Sequence, residues 1–168
     1  DRVPNLEISI DPGALAAIMG WDHPAAARSD MLEPEVQIEV ARKTSQDAVI
    51  CNLQSWLGQG GAIRTREDLE RLPPPDLAHA RHKAESFFRI VPDRMGVGLM
   101  TAGPFFTTLY STGPIPIESC MLNLYDDPAL VETMMDLQLD RQIAILETLS
   151  GLPFAFVEIA DDLADNRG

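Results

Sequence analysis

Apolar positions along this chain recur with two periods in turn, first every two residues and then every three to four. Between Asn5 and Ile10, Leu6, Ile8 and Ile10 alternate with Asn5, Glu7 and Ser9, which predicts a first strand with two different faces. Asp11-Pro12 then opens a helix: the carboxylate can cap it, and proline suits the first helical position, where no N–H is required. Gly20 can close that helix in a left-handed turn. Val36, Val40 and Ala41 mark the buried stripe of a second helix from about Pro34 to Ser45. The nearly continuous apolar run from Asp47 to Leu53 predicts a second strand, of the kind covered on both faces.

Thr65-Arg66-Glu67-Asp68 has the form of a helix start, with Thr65 as cap and Asp68 complementing the exposed N–H groups, and Pro73-Pro74-Pro75 stops it. From Asp76 onward Leu77, Ala80, Ala84, Phe87, Phe88 and Val91 recur at helical spacing until Pro92. Gly96 to Thr101 predicts a third strand, Gly103-Pro104-Phe105 a break, and Ile117, Met121 and Leu122 a short helix. Asp126-Asp127-Pro128 starts a long helix, ended by Gly151, whose core face is predicted to be Val131, Met135, Leu139, Ile143 and Leu146. Phe154 to Ala160 is the fourth strand, closed by Asp161-Asp162.

Four strands, centred near residues 8, 50, 99 and 157 and separated by helices, require right-handed crossovers. The predicted class is therefore α/β, a parallel sheet in sequential order with helices on its outer face. Two closures fit, a doubly wound sheet and a (β/α)8 TIM-type barrel. A complete barrel takes ~250 residues, so four strand–helix steps make about half of an eight-stranded one. Residues 1–168 are read as the N-terminal part of a single barrel domain, and a chain ending on a strand without its covering helix is what a fragment looks like. Its open sheet edges predict self-association.

The formal net charge of −13, from 13 Lys and Arg against 26 Asp and Glu, repels nucleic acid and anionic membranes. No basic patch overrides it: Arg64, Arg66 and Arg71 are interleaved with Glu67, Asp68 and Glu70. No nucleic-acid or membrane partner is expected. The longest apolar stretches fall far short of the ~20 residues of a membrane span, and Asp1-Arg2-Val3-Pro4-Asn5 lacks the basic and apolar regions of a secretory signal. A soluble, cytoplasmic protein is the expectation. Cys51 and Cys120 are too few for a disulfide scaffold and sit in apolar segments, so they are predicted to be buried thiols.

Four motifs carry a resemblance. They are Arg2-Val3-Pro4 before the first strand, Gly103-Pro104-Phe105 after the third, Leu124-Tyr125-Asp126-Asp127-Pro128-Ala129-Leu130-Val131 opening a helix, and Asp161-Asp162-Leu163-Ala164 at the end. In this order and spacing the chain resembles the uroporphyrinogen decarboxylase superfamily over nearly its whole length. The resemblance implies an eight-stranded barrel with its active site at the C-terminal ends of the strands, in a family spanning porphyrinogen decarboxylases and corrinoid-linked methyltransferases. The decarboxylases carry an arginine-rich segment after strand one, where this chain has Asp11-Pro12-Gly13-Ala14-Leu15, and an aspartate after strand two, where it has Asn52-Leu53-Gln54. The resemblance therefore points first to methyl transfer between a corrinoid and a thiol. The alternatives are uroporphyrinogen decarboxylation, in tetrapyrrole biosynthesis, with the cationic grip placed elsewhere, and a non-catalytic binding module of the same fold. For the methyltransferases it implies zinc on His and Cys ligands of the C-terminal half, beyond this chain. No cofactor is expected within residues 1–168, zinc and a corrinoid being implied only for the intact protein, with a small-molecule or corrinoid-linked substrate as partner. This chain alone is expected to be inactive.

Asp161 and Asp162 are the catalytic candidates, because carboxylates at the C-terminal end of a barrel strand face the pocket. Adjacent residues point opposite ways, so at most one aims inward, and the plainer role for both is capping the next helix. Glu158, a charge within an apolar strand, must reach a lumen or a partner, since an unpaired buried carboxylate is costly. Glu7 and Ser9 share the polar face of the first strand, and Asn52 and Gln54 end the second. These four with Glu158 are candidate substrate-binding residues, against the plainer reading that each fills structure. His79, His82 and Glu85 follow an i, i+3, i+6 pattern but lie opposite or beside the apolar stripe of their helix, so they project to solvent. His23 has no second ligand nearby, the cysteines have no partner at metal spacing, and no metal site is predicted. Gly58-Gln59-Gly60-Gly61 lacks the lysine of a nucleotide loop, and no Gly-x-Ser-x-Gly elbow occurs.

Overall fold

Three of the four predicted strands form, and they pair in sequential order. The computed structural model describes residues 3–25, 27–53, 65–102 and 117–160. Its elements are α1 (Pro12–Met19), a 3-10 turn (Ser29–Met31), α2 (Pro34–Thr44), β1 (Ala48–Asn52), α3 (Arg66–Glu70), α4 (Leu77–Ile90), β2 (Gly96–Ala102), α5 (Ile117–Asp126), α6 (Pro128–Thr148) and β3 (Phe156–Ala160). The fold is α/β, with a small open parallel sheet ordered β1-β2-β3. β1 runs parallel to β2 in register from Ala48 opposite Gly96 to Asn52 opposite Met100.

The period of two along a strand sorts the side chains into two faces. Ala48, Ile50 and Asn52 share one face with Gly98 and Met100, and Val49 and Cys51 share the other with Val97 and Leu99. Every β1 residue is buried. The Phe156 ring lies where a side chain on Gly98 would stand, which places Phe156, and by alternation Glu158, on the face of Asn52. Val157 and Ile159 fall on the other face and are 53% and 62% exposed.

The predicted first strand, Asn5–Ile10, does not form. Its ends are nonetheless anchored alongside β1. Asp47 N–H donates to the Asn5 carbonyl at 2.8 Å, and Asn5 N–H donates to Asp47 Oδ2 at 2.7 Å. At the far end Ile10 N–H donates to Ser29 Oγ at 2.8 Å and Ser29 N–H donates to the Ile10 carbonyl at 3.1 Å. The segment therefore runs in the direction of β1, but side-chain oxygens take the N–H groups a ladder would use. The edge of β1 is likewise closed by a side chain: Ile50 N–H donates to Gln37 Oε1 of α2 at 3.1 Å. Alternation alone cannot foresee that competition, because the acceptors come from residues 19 to 42 positions away.

The chain divides into two compact units. The first comprises residues 1–52, 79–100 and 151–158. Here α1 and α2 bury Leu15, Met19 and Val40 among Ile10, Ile18, Ala25, Leu32 and Val36. Gly20 ends α1 as expected, at φ +73°, a conformation that costs glycine nothing, with its N–H on the Ala16 carbonyl. Asp11 stands at the N-cap, yet its side chain accepts no capping bond, contrary to expectation. Phe88 of α4 meets Phe154 edge to face, with ring centroids 5.0 Å apart.

The second unit comprises residues 53–78, 101–150 and 159–168. Thr65 and Asp68 form a reciprocal capping box on α3, and Asp127 caps α6 by accepting the Leu130 N–H at 3.1 Å. Leu69, Leu130, Val131 and Met134 form its core, with Leu72, Met135 and Leu137 packed around them. The buried face of α6 is not the predicted one. It comprises Leu130, Val131, Met134, Gln138, Gln142 and Ile145, while Leu139 and Ile143 are 41% and 44% exposed. The face is turned by one residue, about 100°. Gln142 can be buried there because a polar partner awaits: Thr101 Oγ1, near the end of β2, donates to its Oε1. Among the described residues, no helix is long and apolar enough to cross a membrane.

Candidate functional site

In the first unit a polar cluster gathers at the C-terminal end of β1. Asn52, the last residue of that strand, is buried and donates from Nδ2 to Asp30 Oδ2 at 2.7 Å. Arg28 reaches the same oxygen from its guanidinium at 3.0 Å. Lys83 of α4 donates from Nζ to the Asn52 carbonyl at 2.8 Å. The 3-10 turn that carries Asp30 is held by the two bonds between Ser29 and Ile10, and Gln37 Nε2 donates to the Leu32 carbonyl at 3.0 Å just beyond it. Asp30 is thus fixed from both sides of the turn, and it is 1% exposed.

Glu158 of β3 joins this cluster electrostatically. Burial pushes its carboxyl above the ordinary carboxylate value, and the Asp30 charge pushes it the same way. The side chain as a whole is half-buried, but Oε2 is shielded from solvent and has no hydrogen-bond partner among the described residues. Asp30 Oδ1 is in the same condition. A buried acceptor without a donor is costly, so this arrangement is suited to receiving a proton, a cation or an N–H group.

The predicted site residues separate by place. Asn52 and Glu158 fall on one face of the sheet. Glu7 is exposed, and its N–H lies 3.5 Å from Gln46 Oε1, at the opposite end of β1 from Asn52. Ser9 is half-buried and adjoins Ile10, which bonds Ser29 beside Asp30. Gln54, Asp161 and Asp162 lie outside the described residues, as do Gly58-Gln59-Gly60-Gly61 and Gly103-Pro104-Phe105. Sequence reasoning did not find Arg28 and Asp30. Their one signal is a charged pair directly ahead of the Pro34 helix start, and in an irregular segment such a pair reads as solvated.

His79 and His82 are exposed, as their helical phase predicts. Glu85 donates nothing to a metal group, being taken by Arg81 at 2.6 Å, a bond that holds its carboxyl below the usual range. Among the described residues no three His, Cys, Asp or Glu side chains form a group that could hold a metal ion. Cys51 is fully buried, and burial pushes its thiol up to about 12 against a smaller opposing pull from Lys83.

Fold and cluster together define a parallel α/β protein with a buried Asp30–Asn52 pair at the C-terminal end of β1. No protein-family model, curated protein or solved structure matches the chain.

Proposed function

We propose that residues 1–168 form the N-terminal half of a (β/α)8 barrel enzyme of the uroporphyrinogen decarboxylase superfamily that transfers a methyl group between a corrinoid and a thiol. The observation that carries the reading is the gathering of Asn52, Asp30 and Glu158 at the C-terminal ends of parallel strands taken in sequential order, the end where barrel enzymes build their sites. The segment 5–10, running beside β1 in the same direction, stands where a first barrel strand would lie. Methyl transfer is favoured over decarboxylation because the segment after the predicted first strand, Asp11-Pro12-Gly13-Ala14-Leu15, offers no cation for a polycarboxylated substrate, on a chain of net charge −13.

In this reading the chain contributes pocket wall and substrate orientation. The resemblance assigns the zinc that would lower the thiol's pKa to His and Cys ligands in the C-terminal half of the barrel. That half should include a His-x-Cys and a later cysteine. The test is to express the chain with its genomic continuation, supply methylcobalamin and 2-mercaptoethanol, and follow loss of the methyl–cobalt absorbance. Thiol-dependent demethylation is the expected result. Uroporphyrinogen turnover without demethylation would replace this reading by the decarboxylase, and neither activity would leave a binding module.

A further inference from the structure

We propose that the outward face of α5 is a docking surface for a basic amphipathic helix of another protein. The proposal concerns a different part of the chain from the methyl-transfer reading and stands or falls separately from it. At ~100° per residue, Leu124, Met121, Tyr125 and Leu122 fall in that order on an arc of about 160° around α5. All four are exposed, Leu122 by 61% and Tyr125 by 89%. Asn123, directly opposite that arc, is half-buried. A surface helix ordinarily turns its apolar stripe to the core and its polar side to water. α5 does the reverse.

The arc is large enough to matter. An aromatic side chain can bury ~150–250 Å², and Tyr125 is almost wholly outside. With three apolar neighbours it reaches the few hundred Å² at which a contiguous exposed patch marks an interaction site. Tyrosine is also among the residues that most often anchor such contacts. Charge selects the partner. Asp126 closes α5 and is exposed, and the last turn of the helix holds no Lys or Arg to meet it. Glu132 and Asp136, on the first half of α6, are exposed as well. Arg66 reaches this end of α5 but is engaged by Asp127 at 3.2 Å.

An apolar arc with carboxylates at its end is complementary to apolar side chains flanked by Lys or Arg. A helix supplies both at once, since residues at i, i+3, i+4 and i+7 form a matching stripe with the charges on either side of it. A second copy of this chain fits less well: a two-fold contact would set Asp126 against its own equivalent and bring together two chains of net charge −13. The same charge opposes an anionic membrane.

The probe is a labelled synthetic peptide of about 18 residues, five helical turns, with one leucine stripe flanked by lysines, followed by fluorescence anisotropy as the chain is added. Saturable binding that weakens with salt is the expected result. The same peptide with glutamate for lysine should bind at least about tenfold more weakly. Leu122→Ser and Tyr125→Ser should each cost at least about tenfold in affinity. Both positions are exposed, so the circular dichroism spectrum should not change. Val3→Ser, at an apolar position that is also exposed, should leave binding as it was. Asp126→Asn should flatten the salt dependence. No saturable binding, equal affinity for the glutamate peptide, or binding indifferent to both α5 variants would overturn the proposal. So would either competing occupant: a dimer in sedimentation that Leu122→Ser dissociates, or adsorption to phosphatidylcholine vesicles that Leu122→Ser abolishes.

Discussion

Replacing Gly98 with alanine should destabilise the chain through one identifiable contact. A Cβ at this position would lie 2.2 Å from Cζ of Phe156 and 2.5 and 2.8 Å from its two Cε atoms. Carbon atoms pack at roughly 3.5 Å, so the ring must retreat by about 1 Å or the strands must part. The backbone is poorly placed to yield, because Gly98 is registered opposite Ile50, which is 2% exposed. Overpacking of this kind costs ~1–3 kcal/mol. Alanine recovers roughly 0.5–1 kcal/mol of backbone entropy relative to glycine, which leaves a net loss of about 1–2 kcal/mol. With a urea slope of ~1–3 kcal/mol per molar, the unfolding midpoint should fall by about 1 M, measured by far-ultraviolet circular dichroism. In a Phe156→Ala background the obstruction is gone, and Gly98→Ala should be neutral or slightly stabilising. The coupling energy from the double-mutant cycle should then equal most of the single-mutant loss. Equal losses in both backgrounds would refute the assignment of Phe156 to the face over Gly98.

Three further outcomes are expected. Glu158 binds its proton more tightly in the folded chain, so above its ordinary value of 4.5 the unfolded chain is the first to release it and stability falls as pH rises from there. Glu158→Gln should match the parent near pH 4 and exceed it in urea stability at pH 7, and parallel pH profiles would contradict the shift. In a Cys120→Ser background Cys51, at about 12, should react with a disulfide reagent at pH 8 only as fast as the chain unfolds, whereas a rapid native-state reaction would show the thiol to be accessible. On α6, Met134→Ala should cost ~2–5 kcal/mol and Ile143→Ser no more than about 0.5 kcal/mol, and the reverse order would mean the helix buries its apolar stripe after all.

Local chemistry was legible wherever the interacting groups are neighbours in the chain. Thr65 and Asp68 cap α3 because they are three residues apart, Asp127 starts α6 because the Leu130 N–H that it caps is three residues on, and Gly20 ends α1 because no other partner is needed for a left-handed turn. The apolar runs at β1 and β2 declared strands because burial on both faces leaves little else for them to be. Asn52 and Glu158 could be suspected from a polar group closing or interrupting such a run, since an unpaired buried polar atom is too costly to be incidental.

What the sequence could not decide were the contests settled by groups far along the chain. Asn5–Ile10 has strand alternation, but Asp47 and Ser29 bond its N–H groups at one end and the other, and Gln37 closes the neighbouring edge of β1. The stripe on α6 pointed to Leu139 and Ile143, yet the Thr101 hydroxyl met Gln142 and turned the polar side inward. Asp30 looks like a solvated loop residue until the turn brings it 2.7 Å from an amide 22 positions away. Periodicity reports the average preference of a segment for burial, while a single well-placed donor or acceptor, worth a kilocalorie or more once water is excluded, is enough to override it.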